Sequence, residues 1–266
     1  MKLTPVTSKD DIRLGDAHAK WPEHDKTEEE LERAATKEMT RIDEAQRVLY
    51  ADGHHALLIV LQGRDAAGKD GTIRKVFSAV NPQGCMVASF KVPTEIERRH
   101  DFLWRIHQVV PPTGMIGIFN RSHYEDILVP RVHQLVPKKV WSARYDQIND
   151  FEHMLADNGV LILKFMLHVS REEQKKRLTD RLTDESKNWK FNAGDLGERK
   201  LWDDYTKAYR GILARTSTDW APWYIVPADD KDLRDLLVAR TIADALDGLD
   251  LRYPKADPAI VGLTIE

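Results

Sequence analysis

Residues 56–72, ALLIVLQGRDAAGKDGT, constrain the fold more than any other stretch of this chain. Ala56 to Leu61 form a short, apolar, β-branched-rich run, the pattern of a strand buried on both faces of a parallel sheet. A glycine-flanked turn and a lysine follow, and Gly63, Gly68 and Lys69 fit the phosphate-loop spacing G-x-x-x-x-G-K. Backbone N–H groups close around a phosphate only where no side chain blocks the approach, and glycine permits that. The helix that follows points its positive dipole end at the anion, and Lys69 adds a point charge for the outer phosphates. The loop thus offers Gly63, Arg64, Ala66, Ala67, Gly68, Lys69, Asp70 and Gly71 as phosphate-binding positions.

The loop departs from the ordinary pattern. Asp70 stands where a Ser or Thr hydroxyl would help hold magnesium, and Thr72 comes two positions late. Asp65 is an extra carboxylate inside the loop. The plain alternative is a glycine-rich strand-to-helix turn with no ligand.

Strands and helices alternate along the rest of the chain. A helix is predicted from Thr27, with Glu30 completing a capping box, to Gly53. Further strands are predicted at 86–90, 115–119, 160–168 and 223–226. Helices are predicted near 69–80, 94–109, 123–135, 140–157, 170–182, 198–216 and 231–249, with Ser170 and Glu173 as a second capping box. Residues 183–197 are polar and turn-rich, and 1–26 read as an extended arm. This alternation means parallel βαβ units, hence one α/β domain over 1–266 with a five-stranded parallel sheet covered by helices on both faces. Ligands on such sheets sit at the carboxyl ends of the strands, which selects 62–72, 120–126 and 168–191.

The second of these segments reads Asn-Arg-Ser-His-Tyr-Glu-Asp. A P-loop enzyme usually carries an acid at the end of a neighbouring strand to orient magnesium. Here that position is Asn120, and the acids Glu125 and Asp126 come later. Arg121 is placed to meet a transferring phosphoryl group. Alternatively, Asn120 and Ser122 cap the next helix and Arg121 is a solvated charge. The third segment is a basic helix, Arg171 to Arg181, then Lys187-Asn188-Trp189-Lys190, suited to a lid that closes over phosphates and excludes water. The alternative is a solvated helix with i,i+4 pairs such as Glu173 with Arg177. Trp189 and Trp202 either stack on a base or pack the lid helices together. Lys91 ends the second strand and is a candidate for the acceptor's phosphate.

The bulk numbers exclude several classes. A chain of 266 residues with 42% apolar and 31% charged residues builds a substantial core under a charged surface. A net charge of −3 gives no global case for nucleic-acid binding, so any polyanion site is a local basic patch. One cysteine, Cys85, rules out a disulfide framework and fits a reducing cytoplasm. The ten histidines show no H-x-x-x-H or Cys/His ligand cluster, so zinc is not expected. No apolar run reaches the ~18 residues of a membrane-spanning helix, and the first residues lack a signal peptide's apolar core.

GRDAAGKDGTIRKV, NPQGC, FLWR, FNRSHYED and NWKFNAGDLGERKLWDDY, in this order and spacing, resemble the polyphosphate kinase 2 family over about residues 30–250. The Asp within the loop, the Lys-Asp-Gly after it and the NPQG turn are unusual among P-loop proteins and become expected features under this resemblance. It implies a thymidylate-kinase-like P-loop fold with a helical lid at about 170–216, and phosphoryl transfer between inorganic polyphosphate and nucleotides with magnesium, or manganese in its place. Matched by motif, Asp65 falls on the metal-associated acid and Lys69 on the phosphate-binding lysine. Arg121 falls on the arginine after the Walker B position, and Arg177, Arg181 and Lys190 fall in or beside the lid.

Under this reading Asp65, Lys69, Arg121 and Glu125 are the expected catalytic residues, with Asp65 and Glu125 at the metal. Lys91, Asn120, Arg121, Glu125 and Asp126 are expected at the nucleotide. A polyphosphate chain has no feature except repeated charge, so a row of cations is expected to receive it: Arg64, Arg74, Lys75, Arg121, Arg131, Arg177 and Arg181. Members acting mainly on nucleoside diphosphates resemble F-D-R-S-W-Y-N where this chain has F-N-R-S-H-Y-E. The latter pattern resembles the subgroup that accepts both AMP and ADP. Expected partners are polyphosphate, adenine nucleotides (guanine nucleotides as the alternative) and further copies of the chain, with no nucleic acid and no membrane. The competing readings are an ATP-dependent nucleoside-monophosphate kinase and a nucleotide-binding switch without transfer. A guanine-specific switch would carry an N-K-x-D run, which this chain lacks.

Overall fold

The computed structural model describes residues 1–22, 25–260 and 262–265. Positions 23 and 24 of the expected arm lie outside the described residues. Five strands, β1 (Ala56–Gly63), β2 (Cys85–Ser89), β3 (Ile116–Asn120), β4 (Val160–His168) and β5 (Trp223–Pro227), form one sheet in the order β2-β3-β1-β4-β5. Every pairing is parallel. The helices are α1 (Glu28–Asp52), α2 (Lys69–Val76), α3 (Trp104–His107), α4 (Glu125–Val132), α5 (Lys138–Asp157), α6 (Arg171–Thr183), α7 (Gly194–Lys200), α8 (Trp202–Thr216) and α9 (Lys231–Asp247).

β1 is central and buried along its whole length. Its side chains alternate between two cores, as the twofold period of a strand requires. Leu57, Ile59 and Leu61 join the core under α1, α2 and α9. Ala56, Leu58 and Val60 join the core under α4, α5 and α8. The connection after β1 runs through α2 on one face, and the connection after β3 runs through α4 and α5 on the other. The carboxyl ends of β1 and β3 therefore border a crevice, the usual ligand position in such sheets.

The two edges of the sheet are treated differently. The first residues lie along β5: Val6 N–H donates to Trp223 O at 2.8 Å, and Ser217 Oγ donates to Val6 O at 2.6 Å. Leu3, Val6, Ile12 and Leu14 are buried there. The arm then reaches the lid, where Asp16 Oδ1 accepts from Arg171 N at 3.2 Å and His168 Nε2 meets Gly15 O at 3.0 Å.

Several boundaries differ from the sequence expectation. The helix predicted over 94–109 is two short turns, Glu97–Arg99 and α3. Thr94 and Glu97 cap each other's backbone, and Asp101 Oδ1 accepts from Leu103 N at 2.9 Å, so the chain restarts at Asp101. The helix predicted over 69–80 stops at Val76. The one predicted over 198–216 is broken at Leu201 into α7 and α8. Ser170 caps α6 through Glu173 N, but the Glu173 carboxylate turns to Arg177 at 2.8 Å instead of closing a capping box.

Removing residues 1–14 uncovers the β5 edge and four apolar anchors worth about 1.5–3 kcal/mol each when fully buried. The truncated protein is expected to melt on the order of 10 °C lower and to scatter light on standing. A thermal melt and a light-scattering trace superimposable on those of the full chain would show that the arm does not hold that edge.

Candidate active site

The loop after β1 is shaped by close approach. A Cβ at Gly63 would lie 2.7 Å from Leu167 O of β4. Gly68 has φ +108, and a Cβ there would lie 2.1 Å from Arg234 Nη1 on α9. Ala66 is held at φ +62, a left-handed conformation costing a non-glycine residue about 1 kcal/mol or more. What holds it is Arg177 of α6. Its guanidinium donates to Ala66 O and Ala67 O at 3.1 Å each, and to Ala228 O at 2.7 Å and Asp229 O at 2.8 Å. In a trans peptide the N–H points opposite to the C=O, so tying Ala67 O to Arg177 turns the Gly68 N–H the other way. Lys69 Nζ donates to Gly63 O at 2.7 Å and Arg64 O at 3.3 Å. Burial and then the nearby Arg121 charge bring the Lys69 ammonium down to about 8.

The end of β3 supplies the second half of the site. Arg121 follows the last strand residue at φ +62, its N–H donating to Leu61 O at 3.0 Å. Its guanidinium donates to Asp65 Oδ1 at 2.5 Å and to Glu125 Oε2 at 3.4 Å. Burial works against its charge, but Glu125 and Asp65 outweigh that and hold it firmly protonated. With the Gln62 amide turned to satisfy its neighbours, Gln62 donates to Glu125 Oε1 at 3.0 Å. Asn120 Nδ2 donates to Asp70 Oδ1 at 2.6 Å, joining the β3 end to the start of α2.

These groups border a cleft of about 560 Å³. Eight of the residues lining it are Lys or Arg and four are Asp. Lys69, Lys91, Arg121, Arg177, Arg181, Lys187, Lys190 and Lys231 are the cations. Arg181 also meets Asp195 at 3.4 Å. Trp189 stands 78% exposed on the cleft wall, whereas Trp202 is buried and packs 3.9 Å under the Arg64 guanidinium. A second, more enclosed cavity of about 40 Å³ lies behind Asp65 and Arg121, which line both spaces. Glu125, Tyr205 and Tyr209 wall it.

The expected row of cations is not one row. Arg64 turns back into the protein, donating to Trp202 O at 3.1 Å and Thr206 Oγ1 at 2.5 Å, and so anchors α8. Lys75 pairs with Glu32 of α1 at 3.0 Å. Arg131 donates to Tyr145 Oη at 3.0 Å over the Trp141 ring. Arg74 is exposed on α2 outside the cleft lining. Only Arg121, Arg177 and Arg181 of the seven line the cleft, and Arg177 does so as a prop for the loop. Asp126 also points away, to Arg105 Nη2 at 3.1 Å. Its carboxyl is raised by burial against the opposing pull of Arg105. Thr72 is no displaced magnesium hydroxyl: it is fully buried and donates to Asp235 Oδ1 at 2.9 Å.

Several contributors carried no sequence signal of their own. Gln174 Nε2 holds Asp65 O at 2.9 Å, and Arg199 donates to Gln174 Oε1 at 2.7 Å. Glu198 accepts from Tyr205 Oη at 2.6 Å. Lys231 reaches the cleft from the start of α9.

Among the described residues no three His, Cys, Asp or Glu groups converge as a metal cage. The chemistry nonetheless suits a magnesium ion shared with phosphates, which uses one or two carboxylates and keeps several waters. Asp65 lines the cleft and Asp70 lies at its rim, whereas Glu125, on the other side of Arg121, faces the smaller cavity behind it. All three offer hard oxygen donors, which suit manganese as well.

A family model described as Polyphosphate kinase 2 (PPK2) matches residues 24–254. An AMP/ADP-polyphosphate phosphotransferase of Meiothermus ruber is 53% identical over 226 residues, 85% of this chain and 85% of that protein. An ADP-polyphosphate phosphotransferase of Rhodopseudomonas palustris is 47% identical over 234 residues, 84% of this chain and 81% of that protein. Among solved structures, polyphosphate kinase 2 from Arthrobacter aurescens matches with a TM-score of 0.88 at 41% identity, covering 96% of this chain and 95% of that one.

The depressed Lys69 makes anion binding pH-dependent. Below about pH 8 the ammonium is charged with or without ligand; above it the free protein loses the charge, and a bound phosphate restores it. Binding of tripolyphosphate is therefore expected to weaken above pH 8 and to take up a proton at pH 9. Calorimetry in two buffers of different ionisation enthalpy reads this uptake, with Lys69→Met as the reference. Equal proton uptake by both proteins would remove Lys69 from the phosphate site.

Proposed function

The chain belongs to the polyphosphate kinase 2 family, and from that premise we propose that it moves phosphoryl groups reversibly between inorganic polyphosphate and adenine nucleotides, AMP to ADP and ADP to ATP. The observation that carries this reading is the cleft at the phosphate loop, where Lys69, Arg121, Arg181, Lys187 and Lys190 face one another with few apolar neighbours. A featureless polyanion is recognised by repeated charge, and a nucleotide brings phosphates to the same charges.

The acceptor's attacking oxygen belongs to a phosphate and is ionised at neutral pH. No side chain is needed to take a proton from it. It forms a new P–O bond to the terminal phosphorus of the chain, the anhydride P–O bond breaks, and the shortened chain leaves with the electron pair. The transition state is loose, so catalysis is positioning and charge neutralisation. Lys69 and the Gly68 N–H hold the outer phosphates. Arg121, fixed between Asp65 and Glu125, would meet the charge that spreads over the equatorial oxygens. Asp65 and Glu125 would hold the magnesium, which would supply positive charge against the reacting phosphates. A reducing cytoplasm, compatible with the single half-buried thiol of Cys85, is the compartment we infer.

Asn120 bears on acceptor choice. An Asp there would stand against Asp70, now 2.6 Å from the Asn120 amide, and two adjacent carboxylates stay together only with a cation between them. The neutral Asn removes that fixed charge and leaves Glu125 as the acid set back behind Arg121.

The decisive assay follows ADP and ATP formation from AMP with polyphosphate, against AMP with ATP. Turnover with ATP alone would replace this reading by a nucleoside-monophosphate kinase. Asp65→Asn and Lys69→Met are expected to lower kcat by about 10²–10³-fold each while remaining folded, and near-normal turnover in either would sink its assignment. Asn120→Asp and Glu125→Asn, singly and together, are expected to shift the ratio of AMP to ADP turnover. A constant ratio with only a changed melting temperature would leave Glu125 as a helix-dipole partner worth about 0.3–1 kcal/mol.

A further inference from the structure

Behind the Arg121 turn, out of reach of any ligand, lies an ion pair the reaction does not use. Lys164 of β4 and Glu152 of α5 are both fully buried and hydrogen-bonded to one another. Lys164 Nζ also donates to Tyr124 Oη at 2.8 Å and to Thr216 O, the last residue of α8, at 2.6 Å. Glu152 Oε1 accepts from Tyr124 Oη at 2.8 Å and meets His123 Nε2 at 3.1 Å. None of these side chains lines either cavity.

Stability does not account for this arrangement. A buried ion pair gains little over well-packed apolar residues of similar volume, because two charges must be stripped of water. What the pair does hold is the chain immediately after Arg121. Ser122, His123 and Tyr124 are three consecutive residues with no exposed surface. Ser122 Oγ is within 3.1 Å of the Gln62 amide and accepts from Tyr124 N at 3.2 Å. His123 and Tyr124 are both tied to Glu152. Arg121 itself sits at φ +62, a left-handed conformation that a non-glycine residue adopts only where its surroundings over-determine it.

We propose that the Lys164–Glu152 pair is a positioning element for Arg121: through His123 and Tyr124 it clamps the turn that keeps Arg121 left-handed and aimed at Asp65. It touches no substrate and acts only through that arginine. The proposal rests on the phosphotransferase reading for its kinetic consequence and on geometry alone for its structural one.

The test is the double variant Lys164→Met/Glu152→Leu, which replaces both charges by apolar side chains, with Tyr124→Phe as a milder variant that leaves the pair intact. The double variant is expected to stay folded with kcat for AMP and polyphosphate lowered on the order of 10–100-fold and KM for AMP changed far less, as small misplacements of a catalytic group do. Made on an Arg121→Ala background, the same change is expected to add no further loss. A crystal structure of the double variant is expected to show Arg121 out of the left-handed region and its contact with Asp65 lengthened. Tyr124→Phe is expected to give a smaller loss in the same direction. Unchanged kcat per folded molecule, a full additional loss on the Arg121→Ala background, or an unmoved Arg121 in the crystal would each overturn the proposal. If the parent protein turns over neither AMP nor ADP with polyphosphate, the functional reading fails on that measurement, and the position of Arg121 in the double variant still decides this one. Should the double variant not fold, Tyr124→Phe carries the same kinetic and crystallographic readouts.

Discussion

A loop that offers its N–H groups to a phosphate must turn its carbonyls somewhere, and here they turn to Arg177. One guanidinium binds four backbone carbonyls, two from the phosphate loop and two from the chain leading into α9. The fork of donors on arginine suits this task as a lysine would not. The consequence reaches three helices. Arg177 fastens α6 to the loop, and Arg234 of α9 packs against Gly68 while pairing with Asp235, which in turn holds Thr72 of α2. Two arginines thus support from below a loop whose opposite surface faces the cleft. A cation in the sequence of a phosphate-binding protein is not thereby a phosphate ligand.

The legible features were those set by local physics. Thr27, Glu30 and Gly53 bracket α1 where a capping box and a left-handed stop predict. The alternation of apolar runs gave all five strands and their parallel sense. The glycine spacing pointed to a crevice at Lys69, and the analogy with an acid at the end of a neighbouring strand pointed to Arg121; β1 and β3 do pair, with Leu61 opposite Asn120, and Lys69 and Arg121 line one cleft. The helix expected over 94–109 failed because Thr94 and Asp101 each close a local turn that competes with helix propagation. The direction of long side chains was the least legible property. Arg64, Lys75 and Arg131 belong to segments near the site, yet their guanidinium or ammonium groups find Thr206, Glu32 and Tyr145. Sequence gives the charge of such a group; only tertiary packing decides which partner lies within its reach. Gln174, Glu198 and Tyr209 were invisible for the same reason, since α6, α7 and α8 must fold back over β1 before those residues meet Asp65.

Asp65, Arg121 and Glu125 form a chain of alternating charge that is part wall and part site. Its centre is the strained residue, and its two acids come from different strand ends. The arrangement keeps a guanidinium charged and oriented beside the phosphate loop. An arginine placed on a flexible loop would have to be ordered at each turnover. This one is held between two carboxylates, above a turn whose next three residues, Ser122, His123 and Tyr124, are fully buried.

The arm on the β5 edge has a consequence for how the chain comes to be folded. Val6 meets Ser217 across a separation of 211 residues, and Asp16 meets Arg171 across 155. Residues 6–16 are therefore synthesised long before the strand and helices they cover exist. During synthesis their apolar side chains, Val6, Ile12 and Leu14, have no native surface to rest on. The β5 edge in turn gains its covering only when β5 has emerged and the arm returns to it. Such a closure brings together distant parts of the chain, a loop-closing step of the high-contact-order kind that slows folding. Before it is complete, the nascent protein exposes a bare strand edge, the kind of surface that makes folding intermediates prone to aggregate.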